Sequence, residues 1–272
     1  MLSIVDIKSE LGRNIDIYPL TSAAIKSNSI DLHTSGFAWS ISTKKSIVRN
    51  DMIVIPPHDT ALVYSKEAIY VSNKIGGIYT SKVRLVSNGI GAVSGSLDAQ
   101  YVGLSIISLH NITDEPKEIP VGSEFVTISF FYLHSDDYAD TISNNNPPGH
   151  VSLVSGYEGF KAYQKWEEEN PWCRTPKELR AEMVGSDAYK ACRKRFEDEQ
   201  RLYDRKLRVK RVAKYCLLAG GWIALNVILA IPGYLLDLGG FSEFAKGVIE
   251  NGSIPLLLCG IVPNVVLDLK RD

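Results

Sequence analysis

Residues 94–111 read SGSLDAQYVGLSIISLHN. The segment LDAQYVG has the polar and glycine content of a turn, and the residues after it, up to Asn111, form an apolar run with β-branched Ile106 and Ile107 that reads as a strand. The same texture extends in both directions. SIVRNDMIVIPPHDTALVYS (46–65), EAIYVSNKIGGIYT (67–80) and EFVTISFFYLH (124–134) are short apolar runs separated by Pro, Gly, Asn and Asp. This spacing predicts an all-β barrel or sandwich over residues 1–135.

Beyond residue 135 the composition changes. DDYADTISNNNPPGHVSLVSG (136–156) is polar and rich in Asn and Pro and reads as a linker. Residues 157–214 are charged and helix-prone, with acids and bases at helical spacing, and read as a solvated helical connector. Residues 193–214 hold ten basic and four acidic side chains. The apolar run YCLLAGGWIALNVILAIPGYLL (215–236) has the roughly 20 residues that a bilayer core requires. GSIPLLLCGIVPNVVL (252–267), with Pro255 and Pro263, is expected to be a second, kinked span. Basic residues flank the pair at KLRVKRVAK and DLKRD, so the positive-inside rule places both ends in the cytoplasm of a bacterial inner membrane. Gly220 and Gly221 would let such helices approach closely.

Lys and Arg number 30 against 31 Asp and Glu, so no global field argues for a nucleic-acid partner. The four cysteines, Cys173, Cys192, Cys216 and Cys259, form no CxxC pair, which argues against a disulfide framework or zinc site. MLSIVDIKSELGR is too polar for a signal peptide.

Four stretches, in order, resemble the motifs of the dCTP deaminase/dUTPase superfamily. SNSIDLHTSGFAW (27–39) is similar to the Ser-x-Asp-Leu segment and contains Asp31. IGGIYTSKVRLVSNGI (75–90) is similar to the deaminases' phosphate-binding Arg-Ser-Ser-x-x-Arg-Leu-Gly. LDAQYVG, with its strand to Asn111, is similar to Ile-Asp-x-x-Tyr-x-Gly and contains Gly103. VGSEFVTISFF (121–131) is similar to the Gly-x-x-Ile-x-Gln-Leu strand. The resemblance covers residues 1–133 and implies a jelly-roll-like, dUTPase-like barrel, a homotrimer with sites built across subunit boundaries, and a pyrimidine deoxynucleotide ligand. It assigns Thr80, Ser81, Lys82 and Arg84 to the phosphates, where hydroxyl donors and a guanidinium fork suit polyphosphate oxygens. Tyr101 would lie against the deoxyribose. Asp98 would accept from the sugar or hold a water for attack at phosphorus.

Three positions depart from the pattern. Ser108 stands where the deaminases carry their acid/base glutamate, and a hydroxyl without a neighbouring base cannot shuttle protons as a carboxylate does. Tyr79 replaces the first Arg of the phosphate motif, and Thr127 replaces the Gln of the closing strand. The Gly-rich C-terminal arm of trimeric dUTPases has only distant stand-ins in NNNPPGH and SGYEGF. Deamination is therefore not expected. The favoured reading is a membrane-anchored nucleotide sensor or effector, of use in antiviral defence. A membrane-tethered dUTP diphosphatase, using Asp98 with Mg2+ carried on the phosphates, is the enzymatic alternative. An oligomerisation scaffold for membrane spans is the third.

Overall fold

The computed structural model describes residues 1–92, 95–134 and 148–236. It divides into two compact units, Met1–Glu199 and Gln200–Asp272. In the first unit a short helix, α1 (Ile4–Glu10), is closed by a capping box in which Ser3 and Asp6 satisfy each other's backbone N–H groups. Next come the strands β1 (Ile15–Tyr18), β2 (Ile30–Ser40), β3 (Val48–Arg49), β4 (Met52–Ile55), β5 (Thr60–Val71) and β6 (Ile75–Ser81). After helix α2 (Val83–Ser87) the chain forms β7 (Ile90–Ala92), β8 (Ser96–Leu97), β9 (Val102–Asn111), β10 (Lys117–Pro120) and β11 (Glu124–Tyr132).

All the strand pairs are antiparallel. Eight strands form one curled sheet in the order β7-β9-β5-β2-β11-β6-β8, with β1 also on β5, and β10-β4-β3 form a second, three-stranded sheet. The ladder is interrupted between Thr34 and Ala38 in β2, between Tyr64 and Ala68 in β5, and between Glu124 and Val126 in β11. Such interruptions bend a sheet and increase its twist. Where β6 outruns β8, Ser81 Oγ donates to Ala92 O and accepts from Ala92 N, each at 3.0 Å, so a side chain joins β6 to β7 without a ladder. The inward residues, among them Ile17, Leu32, Val63, Ile69, Phe125 and Phe130, fill one hydrophobic core.

Residues 148–199 do not stand off in solvent. A 3-10 turn (Pro148–Leu153), α3 (Phe160–Glu169), a second turn (Pro171–Cys173), α4 (Pro176–Gly185) and the start of α5 (Asp187–Leu236) belong to the same unit as the strands. They build a second core on the outer face of the sheet, in which Tyr163 stacks on Tyr64 at 4.7 Å with the rings 3° from parallel. Trp39 Nε1 donates to Glu158 O at 3.0 Å, and Val154, at the end of the stretch read as linker, is fully buried. Composition pointed to a solvated connector because charged side chains outnumber these few aromatic anchors in the sequence. Helix α4 is pinned to β1 by Arg180, whose Nε donates to both carboxylate oxygens of the fully buried Asp16 at 2.9 and 3.2 Å, while Nη2 donates to Arg13 O.

The membrane placement is corrected. Among the described residues no helix is long and apolar enough to cross a membrane. This overturns the expected bacterial inner-membrane localisation with cytoplasmic N-terminal domain and C-terminus. Much of α5 is taken up by the charged stretch 193–214, which no bilayer core accommodates. The first expected span (215–236) falls on the end of α5, where the side chains of 223 and 225–236 lie outside the described residues; the second (252–267) lies outside them altogether.

Replacing Arg180 by Ala leaves the Asp16 carboxylate buried without its partner. The expected cost is about 3 kcal/mol, at the low end for a broken buried pair because Arg180 is itself partly solvated. Urea denaturation of the full chain beside Arg180→Lys measures it, and an unchanged midpoint for Arg180→Ala contradicts the role assigned to the pair.

Candidate functional site

The motif residues fall into two groups held by different partners. The first lies on neighbouring strands β2, β11 and β6, where Asp31, Thr127 and Thr80 occupy paired positions. Residues directly opposite across paired strands share a face of the sheet. Thr127 Oγ1 donates to Asp31 Oδ1 at 2.7 Å, and Thr80 Oγ1 to Thr127 O at 3.4 Å. Asp31 Oδ2 has no aligned hydrogen-bond donor but lies 2.5 Å from Lys82 Nζ and 3.4 Å from Lys26 Nζ, so its balance is Coulombic. Both ammonium groups also meet Glu124, at 3.2 and 3.7 Å. Burial raises the Asp31 pKa, but the Lys82 contact and the Thr127 hydrogen bond outweigh it and hold the carboxyl below its ordinary value. Arg84 is exposed, with Nη2 3.5 Å from Glu124 O.

The second group surrounds the turn into β9. Asp98 is exposed and accepts from Ser96 Oγ at 3.1 Å. Gln100 adopts φ +62° and Gly103 φ +134°, so the backbone favours glycine at the end of Tyr-x-Gly. The Tyr101 hydroxyl donates to Leu104 O at 2.5 Å, and Tyr79, buried, exchanges a 2.6 Å hydrogen bond with Ser105 Oγ. Burial raises both phenol pKa values well above the ordinary range, so both hydroxyls stay neutral. Asn111 is fully buried, and its amide donates to the carbonyls of Ile55, Pro56 and Glu115 while accepting from Thr113 N and Oγ1. It ties the end of β9 to the loop after β4.

Ser108 lies opposite Leu62, a member of the outer core under α3 and α4. Its neighbours Ile107 and Leu109 face the inner core with Val63 and Ala61. The position expected to carry an acid is thus a half-buried hydroxyl on the outer face of β9, opposite to the face on which Ser105 meets Tyr79.

Over about half its length the chain is similar to dCTP deaminases. The enzyme so named from Pyrococcus horikoshii is 24% identical over 145 residues, 53% of this chain and 92% of its own length. That from Thermococcus kodakarensis is 24% identical over 144 residues, 53% and 93% respectively. Among solved structures, the 2′-deoxycytidine 5′-triphosphate deaminase of Agrobacterium tumefaciens aligns at 16% identity and TM-score 0.41 over 49% of this chain and 48% of that one. The EIAV dUTPase aligns at 18% identity and TM-score 0.35, over 48% and 98%. No protein-family model matches the chain.

Motif reading missed a dyad beside the first group. His33 follows Leu32 in the Ser-x-Asp-Leu segment and pairs across strands with Glu124. Its Nδ1 lies 2.7 Å from Glu67 Oε1, and its backbone N donates to Glu67 Oε2 at 2.9 Å. Glu67 is almost fully buried, and its place in EAIYVSNK carries no sequence signal that would have singled it out. The hydrogen bond to Glu67 raises the His33 pKa above 6.5 against the opposing effect of burial. The imidazolium form therefore stabilises the fold; that contribution is complete below pH 6.5 and is lost as pH rises through the raised value. An NMR titration of His33 in the full chain is expected to show the raised value, and Glu67→Gln to lower it.

Proposed function

We propose that the chain binds a pyrimidine deoxynucleotide at a degenerate dCTP deaminase/dUTPase-like site and acts as a nucleotide sensor without deaminating its ligand. The observation that carries this reading is Ser108, a half-buried hydroxyl facing the outer core where a proton-shuttling carboxylate is needed. The similarity to dCTP deaminases supports the nucleotide class. The resemblance further implies a homotrimer, and that assembly would suit the two groups of motif residues: the cations around Asp31 and the Asp98–Tyr101 turn from different chains would meet at one ligand.

Within such a site Arg84 is the cation best placed for phosphate, since it meets the Glu124 backbone carbonyl at 3.5 Å while Lys82 is engaged by the carboxylates of Asp31 and Glu124. Tyr101 would pack its ring against the sugar, and its hydroxyl is already committed to Leu104 O.

A second reading, dUTP diphosphatase, draws on Asp98, which is solvent-exposed and held only lightly by Ser96. Mg2+ in that reaction is carried by the phosphates. Among the described residues no three His, Cys, Asp or Glu side chains gather as a metal cage, so these residues do not fit a resident ion.

The full chain incubated with dUTP and dCTP plus Mg2+ is expected to leave both nucleotides intact while one of them raises the melting temperature, since a ligand that binds only the native form must do so. Arg84→Ala should weaken that shift. Formation of dUMP and diphosphate, lost in Asp98→Asn, would replace the sensor reading with the diphosphatase.

A further inference from the structure

A cleft of about 580 Å3 opens over the bulges of β2 and β5, well away in sequence from the motif residues Thr80–Arg84 and Asp98–Tyr101. Its floor is the irregular backbone Thr34–Phe37 and Ser65–Lys66; its walls are Tyr18 at the end of β1 and Trp166 and Trp172 of the helical segment. The aromatic rings form a continuous surface. Tyr18 meets Trp172 edge-on at 4.9 Å, Trp172 meets Trp166 at 6.0 Å, and Trp166 meets Phe37 at 5.7 Å. None of the four rings is fully buried, so part of this wall remains open to a ligand.

Most polar groups of the cleft are already occupied. Thr34 Oγ1 donates to Pro120 O, Ser35 Oγ to Tyr64 O and Ser65 Oγ to Glu67 O, while Asn170 donates to Trp166 O and accepts from Trp172 Nε1. What remains is a set of donors. Lys66, exposed at the rim, makes no ion pair among the described residues, and neither Trp166 Nε1 nor the Tyr18 hydroxyl has a hydrogen-bond partner there. An ammonium and an indole N–H can only donate, and a phenol can donate. Apolar rings with few convergent polar groups, in a volume of several hundred Å3, are the usual make-up of a small-molecule site.

We propose that this cleft binds a flat aromatic ring bearing an anionic group, of the size of a nucleoside monophosphate. The ring lies on the Trp166–Trp172 wall and the anion on Lys66. Tyr18 and Trp166 supply the orienting hydrogen bonds. Thr34–Phe37 belong to the first motif stretch, but the cleft uses neither Thr80–Arg84 nor Asp98–Tyr101, and its ligand need not be theirs.

Gly36 provides a clean test. It lines the cleft, and a Cβ built there meets nothing within 4 Å, so the backbone accepts a side chain at this position and Gly36→Leu is expected to narrow the cleft. With AMP as the probe, calorimetric titration of the full chain is expected to show saturable binding accompanied by a change in tryptophan fluorescence. Adenosine and ribose 5-phosphate should each bind about tenfold more weakly or worse, because each lacks one half of the recognition. Gly36→Leu should abolish AMP binding with the melting curve unchanged, Trp166→Ala should weaken it about tenfold, and Arg84→Ala should leave it unaltered. The proposal is overturned if AMP does not bind, if ribose 5-phosphate binds as well as AMP, or if binding survives Gly36→Leu but is lost with Arg84→Ala.

Discussion

One of the three breaks that bend the large sheet is bridged by a buried side chain. Between Tyr64 and Ala68 strand β5, which pairs with β9, β2 and β1, departs from the regular ladder, and the buried hydroxyl of Ser65 compensates by donating to Glu67 O and accepting from Ser105 N. A buried backbone group left without a partner would cost about 1–3 kcal/mol, so a bend in a strand enclosed by three others survives only if something takes over these bonds. Because the strand bends there, Glu67 turns its carboxylate to His33 and Lys66 emerges at the rim of the aromatic cleft.

On that bent sheet the helical segment behaves as part of the domain. Tyr163 on Tyr64, Trp39 on the Glu158 carbonyl and Arg180 on Asp16 are three separate attachments from residues distant in sequence. Together they bury the outer face of β9 and β5, which fixes the environment of Ser108. Gaining a covering layer on this face and facing a hydroxyl into it are linked. A carboxylate at Ser108 would meet an apolar surround, and burying a charge without a partner is costly.

The strands were legible because β-branched runs between Pro, Gly and Asn carry their own period, and the motif segment LDAQYVG was legible because φ +134° at Gly103 leaves a glycine in the sequence. The outer core was hidden, since Phe160, Tyr163, Trp166 and Trp172 are scattered among charged residues and only the folded helix collects them. The site was legible in its residue types but not in its pairings. Lys82 and Arg84 read alike as cations, yet one is enclosed by Asp31 and Glu124 and the other is exposed. Those carboxylates come from strands that are neighbours only in the sheet. The apolar run at 215–236 was read from hydropathy alone, which cannot weigh it against the charged remainder of its own helix.

The enclosure of Lys82 makes any anion that binds there a substitute. An incoming phosphate must take over an ammonium already engaged by Asp31 and Glu124, and Lys26 stands ready to hold the displaced carboxylates. A singly charged anion gains little from such an exchange, because it replaces one carboxylate contact with an equivalent one. A ligand with several negative charges can engage Arg84 as well and leave Lys26 to neutralise Asp31. If the proposed site takes its ligand there, these resting ion pairs would set a threshold on ligand charge.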